Sequence, residues 1–139
     1  MRIMGVDYGD ARTGVAFSDI TGSIAGEAFT INMHDIERTA DEVSREAALR
    51  EVGLIILGYP KNMNGSIGER AEKSEVFADL LRARTKAGVI LWDERLTSVD
   101  ANAILSMNGR RGKDRKNKVD AVAASLILQS YLDSTRAGG

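Results

Sequence analysis

Two continuous apolar runs constrain this chain most: Gly53-Leu54-Ile55-Ile56-Leu57-Gly58 and Gly88-Val89-Ile90-Leu91-Trp92. Each is too short for a helix and lacks the alternation of a half-exposed strand. Both therefore read as strands buried on two faces, the kind found in parallel sheets covered by helices. The stretch between them supplies the crossover. Pro60 ends the first run, a loop occupies 61–68, and a helix is expected through Ala87, with Val76/Leu80 and Phe77/Leu81 paired at i, i+4.

The first third alternates differently. Ile3 to Val6, Gly14 to Phe17 and Ala28 to Met33 are short strands separated by polar, glycine-bearing turns, which suggests an antiparallel meander. An amphipathic helix follows from about Ile36 to Val52, with Ile36, Ala40, Val43 and Ala47 on one face. Beyond the second run, helices are expected at about Ser98 to Met107 and Val119 to Leu132, joined by a basic loop. The polar residues 134–139 read as a frayed, disordered tail.

The pattern predicts an α/β fold, a five-stranded mixed sheet flanked by helices on both faces, formed by a single domain spanning 1–139. The two buried runs are expected side by side and parallel, reached by right-handed crossovers.

Composition narrows the chemistry. The chain has no cysteine and one histidine, His34, so thiol nucleophiles, Cys-ligated zinc and multi-histidine metal sites are excluded. His34 precedes a helix start and reads as a surface or capping residue. No segment is apolar enough to span a membrane, and the start lacks the zones of a signal peptide, so a cytoplasmic location is expected.

Carboxylates then stand out. Asp7 closes an apolar strand, Asp93 and Glu94 end the second buried run, and Asp120 interrupts the otherwise apolar Val119-Asp120-Ala121-Val122-Ala123-Ala124. Plainer roles exist for each: a turn residue for Asp7, a pairing with Arg95 for Asp93, and helix capping with Asn117 for Asp120. All three would have to hold together. Buried carboxylates otherwise need partners or a cation. A cluster lacking His and Cys suits hard, oxygen-preferring ions, Mg2+ or Mn2+, and so phosphoryl chemistry.

The net charge of −1 conceals a segregation. Residues 110–118 (Arg110, Arg111, Lys113, Asp114, Arg115, Lys116 and Lys118 among them) carry +5, leaving −6 on the remainder, much of it on the first helix. A basic strip immediately before Asp120 favours a polyanion channel. Gly9 and Gly14 bracket a turn carrying Arg12, a fork donor for phosphate. The stretch from Lys61 to Arg70 follows a strand and opens a helix, so its amides could bind an anion. It lacks the Gly-Lys-Ser/Thr ending of a nucleotide P-loop and has a plainer reading as a strand–helix connection. Thr97 and Asp100 resemble a capping box, and Trp92 reads as core.

Four blocks carry a resemblance to a known family. They are 5–16 (Gly-Val-Asp-Tyr-Gly-Asp-Ala-Arg-Thr-Gly-Val-Ala), Gly58-Tyr59-Pro60 with Gly65 and Gly68, 93–98 (Asp-Glu-Arg-Leu-Thr-Ser) and 118–124 (Lys-Val-Asp-Ala-Val-Ala-Ala). In this order the chain resembles the YqgF/RuvX family, Holliday junction resolvase-like proteins also described as pre-16S rRNA nucleases. The resemblance implies a ribonuclease H-like fold and a nuclease of ribosome biogenesis, with Asp7, Glu94 and Asp120 as catalytic and metal-ligating residues. Asp93 shares the motif and stays an alternative ligand or supporting group.

Arg12, Asn64, Arg95, Arg110, Arg111, Lys113, Arg115 and Lys116 are the expected nucleic-acid contacts. Structured RNA is favoured over DNA, ribosomal precursor particles are a possible partner, and a monomer or weak dimer is expected. Related RuvC resolvases carry a second Asp three residues after the last one, where this chain has Ala123. That departure weakens the junction-resolvase alternative. A non-catalytic RNA-binding module of the same fold is the other alternative.

Overall fold

The computed structural model describes residues 1–62, 64–96 and 112–138, with the backbone alone at 96, 112–118 and 136–138. Its strands are β1 (Arg2–Asp7), β2 (Arg12–Ser18), β3 (Ala25–Asn32), β4 (Val52–Tyr59) and β5 (Gly88–Asp93). They form one sheet in the order β3-β2-β1-β4-β5. β1, β2 and β3 pair antiparallel, whereas β1–β4 and β4–β5 are parallel. The meander and the two adjacent parallel runs are as the sequence pattern predicts.

Helices α1 (Ile36–Leu49) and α2 (Glu69–Arg82) cover one face. Met4, Val6, Val15, Phe17, Ile55 and Leu57 point into that layer, against Ala40 and Val43 of α1 and Phe77 and Leu81 of α2. Alternation along the same strands sends Ile3, Ala16 and Ile56 to the opposite face. There a single long helix, α3 (Gly112–Gly138), packs through Ala124, Ile127, Leu128 and Leu132. Ribonuclease H-like layering is thus reached, with helices on both faces of a mixed sheet.

Several boundaries differ from expectation, β3 among them, which begins at Ala25 and not Ala28. α1 stops at Leu49 because Glu51 turns the chain with φ 53, which frees Val52 to begin β4 opposite Arg2. α2 ends at Arg82, five residues short of Ala87, and Thr85 Oγ1 accepts Ala87 N–H at 3.1 Å to set up β5. α3 begins at Gly112, seven residues before Val119, so most of the basic segment is helix and not loop. That segment contains no proline and several lysines and arginines, which are good helix formers.

At its other end α3 runs through Gly138, where a disordered tail was expected. Ser134 Oγ donates to Tyr131 O at 2.7 Å and Thr135 Oγ1 to Leu132 O at 2.8 Å, so local side-chain bonds engage carbonyls in these late turns. The helix expected at Ser98 to Met107 and the Thr97 cap lie outside the described residues.

Candidate active site

The site lies on the α3 face, at the end of the sheet where β1, β4 and β5 finish. Asp7 is the last residue of β1, opposite Gly14 of β2. Ile3, Gly5 and Asp7 share the side facing α3, so the same alternation that buries Ile3 aims Asp7 at the helix. Asp120 lies one turn before Ala124 and continues α3's packed stripe toward the N-terminus. It stands in the third turn of the helix. Capping by way of Asn117 is therefore excluded, because only first-turn positions meet unpaired amides.

Glycines make this convergence possible. A Cβ on Gly14 would stand 1.9 Å from the Asp120 carbonyl oxygen, so β2 and α3 touch backbone to backbone there. A Cβ on Gly58 would stand 2.7 Å from both Glu94 Oε1 and Ile127 Cδ1. The empty side of β4 is the space that Glu94 fills. Glu94 opens a 3-10 turn directly after β5 and folds back over Gly58 toward Asp7.

The Glu94 side chain reaches the Asp7 carboxyl across the space that Gly58 leaves open. Burial pushes the Asp7 pKa well up, Glu94 adds to this by charge and hydrogen bonding, and the Asp120 charge adds further. Arg70 acts in the opposite direction. Asp120 is half-buried and its pKa is raised by desolvation, while Arg12 restrains it through an Nε–Oδ2 contact of 3.1 Å.

Asp93 is turned away from this group. Arg95 donates to it from the backbone at 2.9 Å and from Nη2 at 2.7 Å, and this pairing lowers its pKa. Of the two adjacent acids, Glu94 joins Asp7 and Asp93 anchors Arg95.

Among the described residues, no three His, Cys, Asp or Glu side chains are gathered tightly enough to hold a metal ion as they stand. Asp7 and Glu94 meet, and Asp120 is engaged by Arg12. The donor chemistry nevertheless fits a hard divalent cation. The donors are oxygen only, and a cation among these crowded carboxyls would offset their mutual repulsion.

A cleft of about 650 Å³ adjoins Glu94, lined by Pro60, Lys61, Asn62, Arg70 and Arg95 among others. Arg95 lines this cleft with Glu94, and Arg12 lies against Asp120. Asn64 does not line the cleft. Its Oδ1 accepts from Ser66 N–H at 3.0 Å and from Ser66 Oγ at 2.7 Å, which shapes the loop, and Asn62 takes the lining position.

Sequence reasoning took Lys61 and Arg70 as the ends of a loop whose amides could bind an anion, and did not single out their side chains. The available signal was their position flanking a strand-to-helix loop. Arg110 and Arg111 lie outside the described residues, and Lys113, Arg115 and Lys116 fall on the first turns of α3. His34 is exposed, and Asp35, not His34, caps α1. Trp92 is partly buried against Tyr131, with ring centroids 5.4 Å apart, and donates to Ser130 Oγ at 3.2 Å.

Known proteins share this architecture. The family model described as "RuvX: Holliday junction resolvase" matches residues 1–134. A protein of Thermoanaerobacter pseudethanolicus is 44% identical over 138 residues, covering 98% of this chain and 99% of its own length; it is named "Putative pre-16S rRNA nuclease". Proteins of the same name from Clostridium novyi and Listeria monocytogenes are 45% and 44% identical, covering 96% and 97% of this chain and 99% of their own lengths.

Among solved structures, T. thermophilus RuvC in complex with Holliday junction substrate superposes with a TM-score of 0.64 at 13% identity, covering 99% of this chain and 96% of that one. Fowlpox virus resolvase with its junction DNA gives 0.61 at 18% identity, covering 97% and 99%. These two share the fold.

Proposed function

The chain belongs to the RuvX family, and from that membership we infer that it is a nuclease hydrolysing phosphodiester bonds in nucleic acid. The finer reading is a Mg2+- or Mn2+-dependent enzyme that processes the 5′ end of pre-16S rRNA in the cytoplasm. One observation carries the assignment of the site: Asp7 and Glu94, far apart in sequence, are brought together at the ends of β1 and β5, with Asp120 close enough to act on Asp7. Selection for stability alone disfavours such crowding, and catalysis gives a reason to keep it.

Asp7, Glu94 and Asp120 are the residues that would hold the cation. When bound, it supplies Lewis acidity for water activation and for the charge that develops on the phosphate. The chain's own groups do the rest. Glu94, seated over Gly58, fixes the position of Asp7. Arg12 reaches the same point from β2 and presents a planar fork to a phosphate once Asp120 is otherwise engaged.

The first turns of α3 gather cations at a helix N-terminus, where the macrodipole disfavours positive charge. A nucleic-acid backbone lying there would offset that cost. Among the described residues no helix is long and apolar enough to cross a membrane, in keeping with a cytoplasmic role.

The test is cleavage of a 16S precursor transcript by purified protein in Mg2+ or Mn2+, with Asp7→Asn as control. Cutting by the wild type alone supports the reading. Equal cutting by both proteins removes it. A four-way DNA junction run in parallel separates RNA processing from junction resolution.

A further inference from the structure

The cleft beside Glu94 is distinct in its charges. Around the carboxylates, Arg12 is committed to Asp120 and Arg95 to Asp93. Elsewhere Arg45, Arg50, Arg82, Arg84 and Lys73 each hold an acidic partner. Arg70 and Lys61 are in no such pair, nor are Arg2, Arg38 and Lys86 elsewhere on the described chain, but of these only Arg70 and Lys61 line the cleft. Among the described residues neither side chain takes part in a hydrogen bond or ion pair, although Lys61 Nζ lies 5.6 Å over the Tyr59 ring. The lining sets Lys61, Arg70 and Arg95 against Glu69 and Glu94, and with Arg95 held by Asp93 the two unpaired cations are free to meet an entering anion.

The cleft's position defines that anion. Glu94 forms part of its wall, so whatever occupies the cleft is continuous with whatever occupies the carboxylate site. Its volume of about 650 Å³ lies within the usual range for small-ligand pockets, and Pro60 offers an apolar surface to a sugar or base. Glu69 and Arg70, from the first turn of α2, line it, whereas α3 packs on the other face of the sheet.

We propose that this cleft binds the backbone phosphate of a nucleotide neighbouring the reacting linkage, with Arg70 and Lys61 as its cations. The occupant is a polynucleotide strand that passes from the basic turns of α3 across Asp7 and Glu94 and into the cleft. The proposal rests on the nuclease reading for the identity of the strand. Arg70 also opposes the upward shift of the Asp7 pKa, which puts its charge within electrostatic reach of the reacting end. The cleft thus fixes where along a strand the cut falls.

The experiment uses the full chain carrying Glu94→Gln, which prevents cutting, and a short single-stranded RNA. One neutral methylphosphonate linkage is walked along that RNA. Binding is expected to weaken roughly tenfold at one particular linkage, the scale of a lost charge-assisted contact. Adding Arg70→Gln should abolish that positional penalty while weakening binding to the unmodified strand. Lys61→Gln should reduce the penalty at the same linkage and covers the case in which the Arg70 variant does not fold.

A penalty profile unchanged by both substitutions overturns the proposal. Wild-type protein that cuts neither RNA nor DNA in Mg2+ or Mn2+ overturns the nuclease reading instead, whatever the linkage profile shows.

Discussion

Arg12 Nε donates to Asp120 Oδ2 at 3.1 Å, joining the first residue of β2 to the third turn of α3. The contact places a cation on the carboxylate that sequence and family similarity both mark for the site. Arg12 is partly exposed, so its ion pair is worth at most about 1 kcal/mol of stability. Its larger effect is competition, because Asp120 cannot fully serve Arg12 and a divalent ion together.

Arg12→Gln is therefore expected to leave the unfolding midpoint nearly unchanged. Mg2+ or Mn2+ should bind more tightly, by calorimetry, and RNA more weakly, by fluorescence anisotropy. Unchanged affinity for both ligands would contradict the competition.

Asp7→Asn keeps the side-chain volume and removes a buried charge crowded by Glu94 and Asp120. Measured without divalent ions by urea denaturation, the variant should be more stable than the wild type by about 1–2 kcal/mol, and it should be inactive. A loss of stability would mean that Asp7 is a structural acid.

Glycine substitutions separate packing from catalysis. Gly14→Ala forces a Cβ to 1.9 Å from a backbone oxygen of α3, which cannot yield by rotation. Destabilisation of about 3 kcal/mol or more is expected. Gly58→Ala meets side-chain ends at 2.7 Å, which can move. It should cost only about 1–2 kcal/mol and yet displace Glu94, so activity falls far more than stability. Paired urea melts and cleavage rates distinguish the two.

The acid limb of stability has an identifiable contributor in Asp19, at the turn after β2. Its carboxylate accepts from Thr21 Oγ1, from Ser23 N–H at 2.8 Å and from Ile24 N–H at 3.1 Å, and these bonds lower its pKa. A depressed folded-state pKa gives stability that is fully present above the unfolded value near 4 and lost as pH falls through the folded one. Asp19→Asn should flatten the dependence of Tm on pH in the range below about 4. The slope near neutrality should not change.

Much of this molecule was legible because its elements are locally consistent. The apolar runs at 53–58 and 88–92 contain too few polar residues to face water, so their burial followed directly. Asp7 and Asp120 were conspicuous because each interrupts an apolar pattern. Other features depend on tertiary contacts that no local pattern encodes. Glu94 and Asp93 are equivalent in sequence and part company only because Gly58 leaves room for one and Arg95 binds the other. The basic segment read as a loop because its residues lack apolar periodicity, yet lysines and arginines extend a helix readily when the turns beyond them are anchored by Ala124 and Leu128. The place of Arg70 beside a strand-to-helix loop is visible in the sequence, but that its side chain makes no ion pair and faces the carboxylates is a tertiary fact.

The docking of α3 has a consequence for timing. Chains are made from the N-terminus, and early segments fold before late ones exist. A chain completed only through the 3-10 turn after β5 holds Asp7 and Glu94 on a sheet whose other face, Ile3, Ala16 and Ile56, has no cover. Asp120 comes with the helix that supplies that cover. Maturation of the cutting centre is thereby tied to closure of the second core, so a nascent or truncated chain has neither. A polypeptide spanning α3, supplied separately to a chain ending after the 3-10 turn, would be the agent that switches both on together.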